Sequence, residues 1–486
     1  MKKINQILFF LLFVIRCFSQ ESVTEYQLEA FGSAATGSYT PFWITNNQYG
    51  AVPLDKGNGY LRIRALHSQT TQNNIRWGGG IDVIAATPRY KALYIQQLFV
   101  EAGYKALNIR IGSKENYTSL WDRDLSSGDM VISNNAPPIP EIDISFPRFT
   151  AVPYTNGIVQ IKGNFAIGRS FDNTYLQDFT AGQVFFTRNI QWHHKSLYIR
   201  LSDKESDFPL TAVFGVRHYA QWSGVSDYSD IGVQPHSFKD FLRVFAGRSG
   251  GADATLSDQI NVLGNHYGSY DMKLGYLTKS VDFYLYKQHF FDDVSGIEWY
   301  NYRDGLYGFQ ADIKVFAGIN KVVFEYLSTL DQGGPIHYID FDHSIYPGYG
   351  GGSDNYYNNG REYPTGASYF NRATGNPLLT SPIYNENGEL NFKNNRVKAF
   401  HIGISGYLSN QLAYRLLATH TDNRGTMGAP FLEKKKSDML FSKFSYRHPR
   451  LENWLFSIEL AADFGMMYGE NHGISFSVSK FGVLMK

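Results

Sequence analysis

The chain has 486 residues, a formal net charge of +1 and one cysteine, a balance that gives no basic footprint for nucleic acid and too few thiols for a disulfide framework or a cysteine–zinc site. Hydrophobic residues make up 43% and aromatics 16%, with 34 Tyr and 36 Phe. Mean hydropathy is nevertheless −0.30, so the apolar residues are dispersed rather than gathered in blocks.

Export is the first expectation in chain order. Lys2 and Lys3 precede the apolar run Ile7–Ile15, and Ser19-Gln20 follows, which is the layout of a signal peptide over residues 1–19. That run is too short for a bilayer, which needs ~20 residues. Cys17 lies inside this segment, and Arg16 argues against lipid attachment there. Without Lys2, Lys3 and Arg16, 42 bases face 44 acids, a net charge near −2. No linker or composition break divides residues 20–486, so a single domain is expected.

Strand alternation then dominates. Leu61, Ile63 and Ala65 oppose Arg62 and Arg64, and Leu107, Ile109 and Ile111 oppose Asn108 and Arg110. The same pattern recurs at Val159/Ile161, Leu197/Ile199/Leu201, Val281/Phe283/Leu285, Ile313/Val315 and Trp454 to Phe464, and it ends in Ile474/Phe476/Val478 against Ser475/Ser477/Ser479. Side chains on a strand alternate between two faces, so each segment is apolar on one side and polar on the other. A soluble sandwich or propeller would hide its aromatics, whereas Tyr and Trp suit a membrane–water boundary. The expected fold is all-β: a transmembrane antiparallel β-barrel with lipid outside and polar groups inside.

About seventeen such segments, plus a weak strand at Gln183–Thr187, give about eighteen. That even number places the tight connections near residues 72–74, 103–105, 278–280, 318–320 and 408–410 on one side. The long connections, about 36–58, 114–156 and 331–394, fall on the other. Two short helices are expected over about 237–264. Ser237 caps a stripe of Phe238, Phe241, Leu242 and Phe245, and Leu256, Ile260 and Leu263 precede Gly264. Such a pair, with the long loops, is expected to cover or plug the mouth on the outer side.

Several stretches resemble the Wzi family of capsule assembly proteins, of the kind found in Bacteroidetes-like bacteria. They are Tyr39–Gly50, Leu120–Pro140, Leu263–Tyr270 and Gly375–Pro377, in that order, with Asp129–Pro140 the most specific. The resemblance implies an outer-membrane barrel of eighteen strands that binds capsular polysaccharide and helps hold capsule on the cell. One departure is the C-terminus, where Phe481 is followed by Gly-Val-Leu-Met-Lys486, whereas outer-membrane barrels often end in an aromatic residue read by the barrel-insertion machinery.

Candidate ligand residues follow from loop chemistry. Trp121, Asp122, Arg123, Asp124, Asn134 and Asn135 offer an aromatic face for sugar C–H groups and fixed polar groups for hydroxyls, beside stiffening prolines. The same residues also suit a salt-bridged loop anchor with no ligand. Tyr356 and Tyr357 lie in a Tyr-, Asn- and Gly-rich stretch from Tyr346 to Gly360, a recognition composition that equally fits an unspecific outer loop. No cofactor or metal is expected: His193 and His194 are adjacent and face opposite sides of a strand, and no HExxH occurs. The expected partners are capsular polysaccharide, outer-membrane lipids and, during biogenesis, the insertion machinery, with the chain acting as a monomer. A porin and a polysaccharide hydrolase are the alternatives, the latter from Asp122, Asp124 and Asp129 as paired carboxylates.

Overall fold

The computed structural model describes residues 19–71, 73–88, 91–117, 119–202, 208–333 and 354–485. The expected signal peptide up to Phe18, with Cys17, lies outside them, as does Tyr346–Ser353 of the glycine-rich stretch. The first strands are β1 (Ser19–Thr36), β2 (Gly57–Thr71), β3 (Ile75–Thr87), β4 (Leu93–Tyr104), β5 (Leu107–Ser113), β6 (Glu141–Ala151), β7 (Val159–Arg169), β8 (Gln191–Ser202) and β9 (Leu210–Trp222). They continue as β10 (Asn265–Leu277), β11 (Val281–Phe291), β12 (Gly305–Ile313), β13 (Lys321–Ser328), β14 (Val397–Ser409), β15 (Leu412–Gly425), β16 (Pro430–Arg447), β17 (Trp454–Gly465) and β18 (Asn471–Met485). These form one 18-stranded antiparallel sheet in which each strand pairs with its sequence neighbours. β1 also pairs with β18, from Thr24 opposite Met485 to Thr36 opposite His472, and this closes the barrel.

Alternation sets the two faces. Leu61 is 62% exposed and Phe476 54%, whereas Ser475 and Ser479 are buried on the inner side. Connections of a few residues join β2 to β3, β4 to β5 and β14 to β15 at one end, and the long connections lie at the other. Short helices sit in the long connections: α1 (Phe42–Thr45), α2 (Asn173–Phe179), α3 (Phe238–Ala246), α4 (Leu256–Ile260) and α5 (Val294–Ile297). Among the described residues no helix is long and apolar enough to cross a membrane.

Two expectations are corrected, and they offset each other in the count. Gln183–Thr187 is not a barrel strand. Phe186 packs instead with Leu176 of α2 and Leu390, and only Thr187–Arg188 pairs briefly with Val225–Ser226. The missing strand is β6, inside the expected loop 114–156. Ile142, Ile144 and Phe146 alternate there with Asp143 and Ser145, but Pro147 reads as a breaker. The strand tolerates it through a register shift between Phe146 and Thr150. Similarly, β12 ends at Ile313, so Val315 belongs to the following turn.

The core of the molecule is the barrel interior. Loops 37–56, 114–140 and 354–396 pack into it, and Phe42, Ile44, Met130, Val131, Tyr356, Leu379 and Phe392 are all essentially inaccessible. The long loops thus occlude the lumen as expected. The helical pair does not join them: Phe241 and Phe245 of α3 pack on Phe165 and His193, whose side chains point away from the lumen, on the same face of β8 as exposed Leu197 and Ile199. The stripe read from the sequence is apolar because it meets the outer wall.

Candidate functional site

The plug is held by charged wall residues that bond loop backbone. Asp129 accepts the N–H groups of Val131 (2.8 Å) and Ile132 (3.1 Å) through Oδ1, and its Oδ2 pairs with Arg217 of β9. Arg217 also faces Asp271 at 3.0 Å, and all three groups are buried. Gln288 accepts from the Met130 N–H at 2.7 Å and donates to Asp129 at 3.2 Å. Glu325 accepts from the Ser126 hydroxyl (2.6 Å), the Ser127 N–H (2.7 Å) and the Tyr286 hydroxyl (2.6 Å). A buried backbone needs such partners, and here the wall supplies them.

The residues singled out from the sequence lie in this plug. Trp121 is buried and stacks on Tyr286 with ring centroids 4.5 Å apart. Asp122 accepts from the Asp124 and Leu125 N–H groups at 2.9 and 2.8 Å and pairs with Lys321 at 2.6 Å. Burial acts to raise its carboxyl, but the hydrogen bond and charge of Lys321 outweigh that and hold it below the usual value. Arg123 lies over the Tyr49 ring at 5.2 Å, and Asp124, with a 72% exposed side chain, faces Arg415 at 3.6 Å. Lys321 opens β13 and Arg415 lies near the start of β15, so this tip points to the short-turn end of the barrel, not to the long loops.

Asn134 donates to the Asn47 carbonyl at 2.9 Å and Asn135 to the Ala373 carbonyl at 3.0 Å, tying the plug loops together. Tyr356 reaches Asn301, and Tyr357 donates to the Met130 carbonyl. Burial pushes both phenols well above 10. A cavity of about 70 Å³ remains between plug and wall, lined by Arg110, Asn116, Glu141, Trp192, His194 and Tyr219 among others. His194 faces it and pairs with Glu141 at 2.7 Å, whereas His193 points outward.

An exposed patch, not foreseen from the sequence, forms where three long connections meet at the other end. Glu362 is fixed by its carbonyl, which accepts from the Thr187 hydroxyl at 2.6 Å and the Gln234 amide at 2.9 Å. Its neighbour Arg361 lies 4.3 Å over the Tyr228 ring and forks onto Asp230 at 2.9 and 2.8 Å. The Phe185 ring meets Tyr228 edge-on at 5.2 Å and is 51% exposed. An aromatic face beside a guanidinium and a carboxylate is the chemistry sought in residues 121–124, here facing solvent. Its parts come from positions 185, 228 and 361, so no single sequence window displays it. A second unforeseen group is acidic: Asp292, Asp293 and Asp354 each bring a carboxylate oxygen within 4.8 Å of the others. Burial, then the charges of Asp354 and Asp293, hold the Asp292 carboxyl well above its usual value.

The model of the capsule assembly protein Wzi family matches residues 40–375, well over half of the chain. The chain belongs to the Wzi capsule assembly family. Its structure resembles that of Wzi from Escherichia coli, described as an outer-membrane protein involved in group 1 capsule assembly and a carbohydrate-binding β-barrel. The TM-score is 0.57 at 9% identity, covering 93% of this chain and 83% of that one. Pseudomonas aeruginosa OccK3 (OpdO) aligns at a TM-score of 0.48 and 11% identity, covering 97% of this chain and 98% of that one. Pseudomonas aeruginosa OpdQ aligns at 0.48 and 8%, covering 96% and 99%. No curated protein matches the sequence. As a closed Wzi-family barrel with an apolar outer face, the protein resides in the outer membrane.

Proposed function

We propose that this Wzi-family barrel binds capsular polysaccharide at its long-loop end and supports capsule assembly and attachment, acting as a monomer and catalysing no reaction. The observation that carries this reading is the family match over residues 40–375, a stretch that includes the plug loop 114–140 and the patch around Tyr228 and Arg361. The likeness to the carbohydrate-binding Escherichia coli barrel supports it. Outer-membrane lipids bathe the exposed aliphatic belt, and insertion machinery acts during biogenesis. A porin reading is disfavoured by a lumen packed with hydrogen-bonded loops.

In this reading Phe185, Tyr228 and Arg361 contact the glycan. Trp121, Asp122, Asn134, Asn135, Tyr356 and Tyr357 hold the plug that carries that surface, and Arg123 and Asp124 are left to a glycan strand reaching the short-turn end. Arg361→Ala and Tyr228→Ala are expected to weaken binding of purified capsule in calorimetry and to raise the ratio of shed to retained capsule on cells, with no change in unfolding temperature. Steady large channels in planar bilayers would overturn the lectin reading in favour of a porin. Release of new reducing ends from purified capsule would favour a hydrolase.

A further inference from the structure

The helical insertion between β9 and β10 is well built for a segment on the outside of a barrel. Ser237 and Asp240 form a reciprocal capping box, and Gly247 closes α3 with φ of 59°. α4 is capped by the Thr255 side chain. Phe241 and Val244 of α3 face the wall, with the Phe241 ring 5.4 Å from His193 and 5.6 Å from Trp222. Beneath the pair, the wall carries polar groups where apolar ones would be expected. His218 and His266 share a hydrogen bond of 2.8 Å, and His266 also bonds the Leu263 carbonyl at 2.8 Å. Lys195 donates to the Phe245 carbonyl at the C-terminal end of α3, where the helix dipole favours a cation.

Among the described residues, none packs over the remaining face of the pair at Phe238, Leu242, Leu256 and Ile260. Phe238 is 75% exposed, Leu242 49%, Leu256 71% and Ile260 71%. Phe238 and Leu242, four apart, share one side of the helix, and Phe245 at its edge turns onto Phe165 and His193. This side continues the barrel's belt. Lys195 and His218, covered by α3, are opposite each other in the strand ladder, and the next outward pair along it is Leu197 and Val216, both exposed. Lys239 and Arg248 are exposed on the same segment.

We propose that residues 237–264 form an in-plane anchor in the outer leaflet, with Phe238, Leu242, Leu256 and Ile260 seated at the boundary of headgroups and acyl chains. Continuity with the belt names the occupant: a surface one strand row beyond Leu197 and Val216 meets the same lipids at shallower depth. Lys239 and Arg248 are then available to lipid phosphates, as in interfacial amphipathic helices. The anchor also seals His193, His218 and Lys195 from acyl chains, which charged or polar groups tolerate poorly. The inference rests on the barrel's residence in the membrane.

Residues 20–486 contain no cysteine. A nitroxide can therefore be placed singly at Phe238→Cys, Leu256→Cys or Ile260→Cys, with Leu197→Cys as the belt control and Tyr154→Cys, in a short turn, as the water control. Folding is checked by heat-modifiable mobility on gels. In phosphatidylcholine/phosphatidylglycerol vesicles, the three hairpin labels are expected to collide with oxygen in preference to a water-soluble nickel chelate, at a depth shallower than Leu197. Nickel preference equal to that at Tyr154, with Leu197 still in lipid, overturns the anchor alone. Nickel preference at Leu197 as well overturns the membrane seating of the belt itself. Spin–spin broadening with loss of both collisions marks a second copy of the chain on this face and also overturns the proposal.

Discussion

Two neighbours on β9 divide the molecule between them. Arg217 points inward and is clamped by Asp129 of the plug; His218 points outward, bonds His266 and is roofed by the helical pair. In each case a polar wall residue is matched by a long connection that leaves the rim and folds back against it, into the lumen in one case and onto the outer surface in the other. The difference lies in the partner. The inner connection brings carboxylates and backbone N–H groups to charged residues, whereas the outer one brings a helix end and aromatic rings. A buried ion such as Arg217 demands an opposite charge, while imidazoles and a lysine at the rim accept a carbonyl and a ring face.

Breaking the inner clamp should have the largest effect. Arg217→Leu leaves Asp129 and Asp271 facing each other without a cation, a loss of about 3–5 kcal/mol. A lower unfolding temperature in detergent and intermittent conductance in planar bilayers are expected, as the plug unseats. Trp121→Ala removes a stacked, buried indole and should cost about 3 kcal/mol by denaturant titration, with protease cleavage appearing within residues 114–140.

A loop latch gives a smaller, pH-dependent effect. Asp172, buried, accepts from the Phe370 N–H at 3.1 Å, and burial pushes its carboxyl up to about 6. Below 3.8 the group is neutral whether the latch is closed or open. As pH rises from 3.8 to 6 the open state ionises while the closed state still holds its proton, so stability on the order of 1–2 kcal/mol is lost across that window and stays lost above it. Beyond its intrinsic pH dependence, amide exchange at residues 170–180 and 368–372 should quicken between about pH 4 and 6 and level off above that, and Asp172→Asn should flatten that profile. The smallest effect sharpens the outer side of the comparison. Lys195→Met removes the cation at the end of α3 and should cost about 0.5 kcal/mol, seen as faster exchange in residues 238–248 with the plug unaffected.

Much of the barrel is legible because period-two alternation is a direct consequence of a wall with unlike faces, and segments such as Trp454–Phe464 carry it over their whole length, with Leu455 and Ala461 the only apolar residues on the polar face. β6 was masked by Pro147, whose cost is absorbed by a bulge that only pairing with β7 reveals. Loop direction is not written in composition. Trp, Asp, Arg and Asn serve a sugar and a buried backbone equally well, so residues 121–135 fit both descriptions until the wall partners Tyr286, Lys321 and Glu325 are seen. The apolar stripe of α3 was visible, but its division into a wall side at Phe241 and an outer side at Phe238 depends on where β8 and β9 lie.

The seam between β1 and β18 differs from every other pairing in the barrel, because it joins the two ends of the sequence rather than neighbours. Closing so wide a loop carries the largest chain-entropy cost of any pairing in the ring, and without it the edges of β1 and β18 would both stand unpaired. At the join the Tyr26 ring lies over Gly482, where even a methyl group would collide with it, and Asn471 accepts the N–H groups of Ser38 and Tyr39 at 2.9 and 3.1 Å. A bulkier residue at Gly482 would therefore displace the Tyr26 ring and loosen the barrel at the one pairing on which its closure depends.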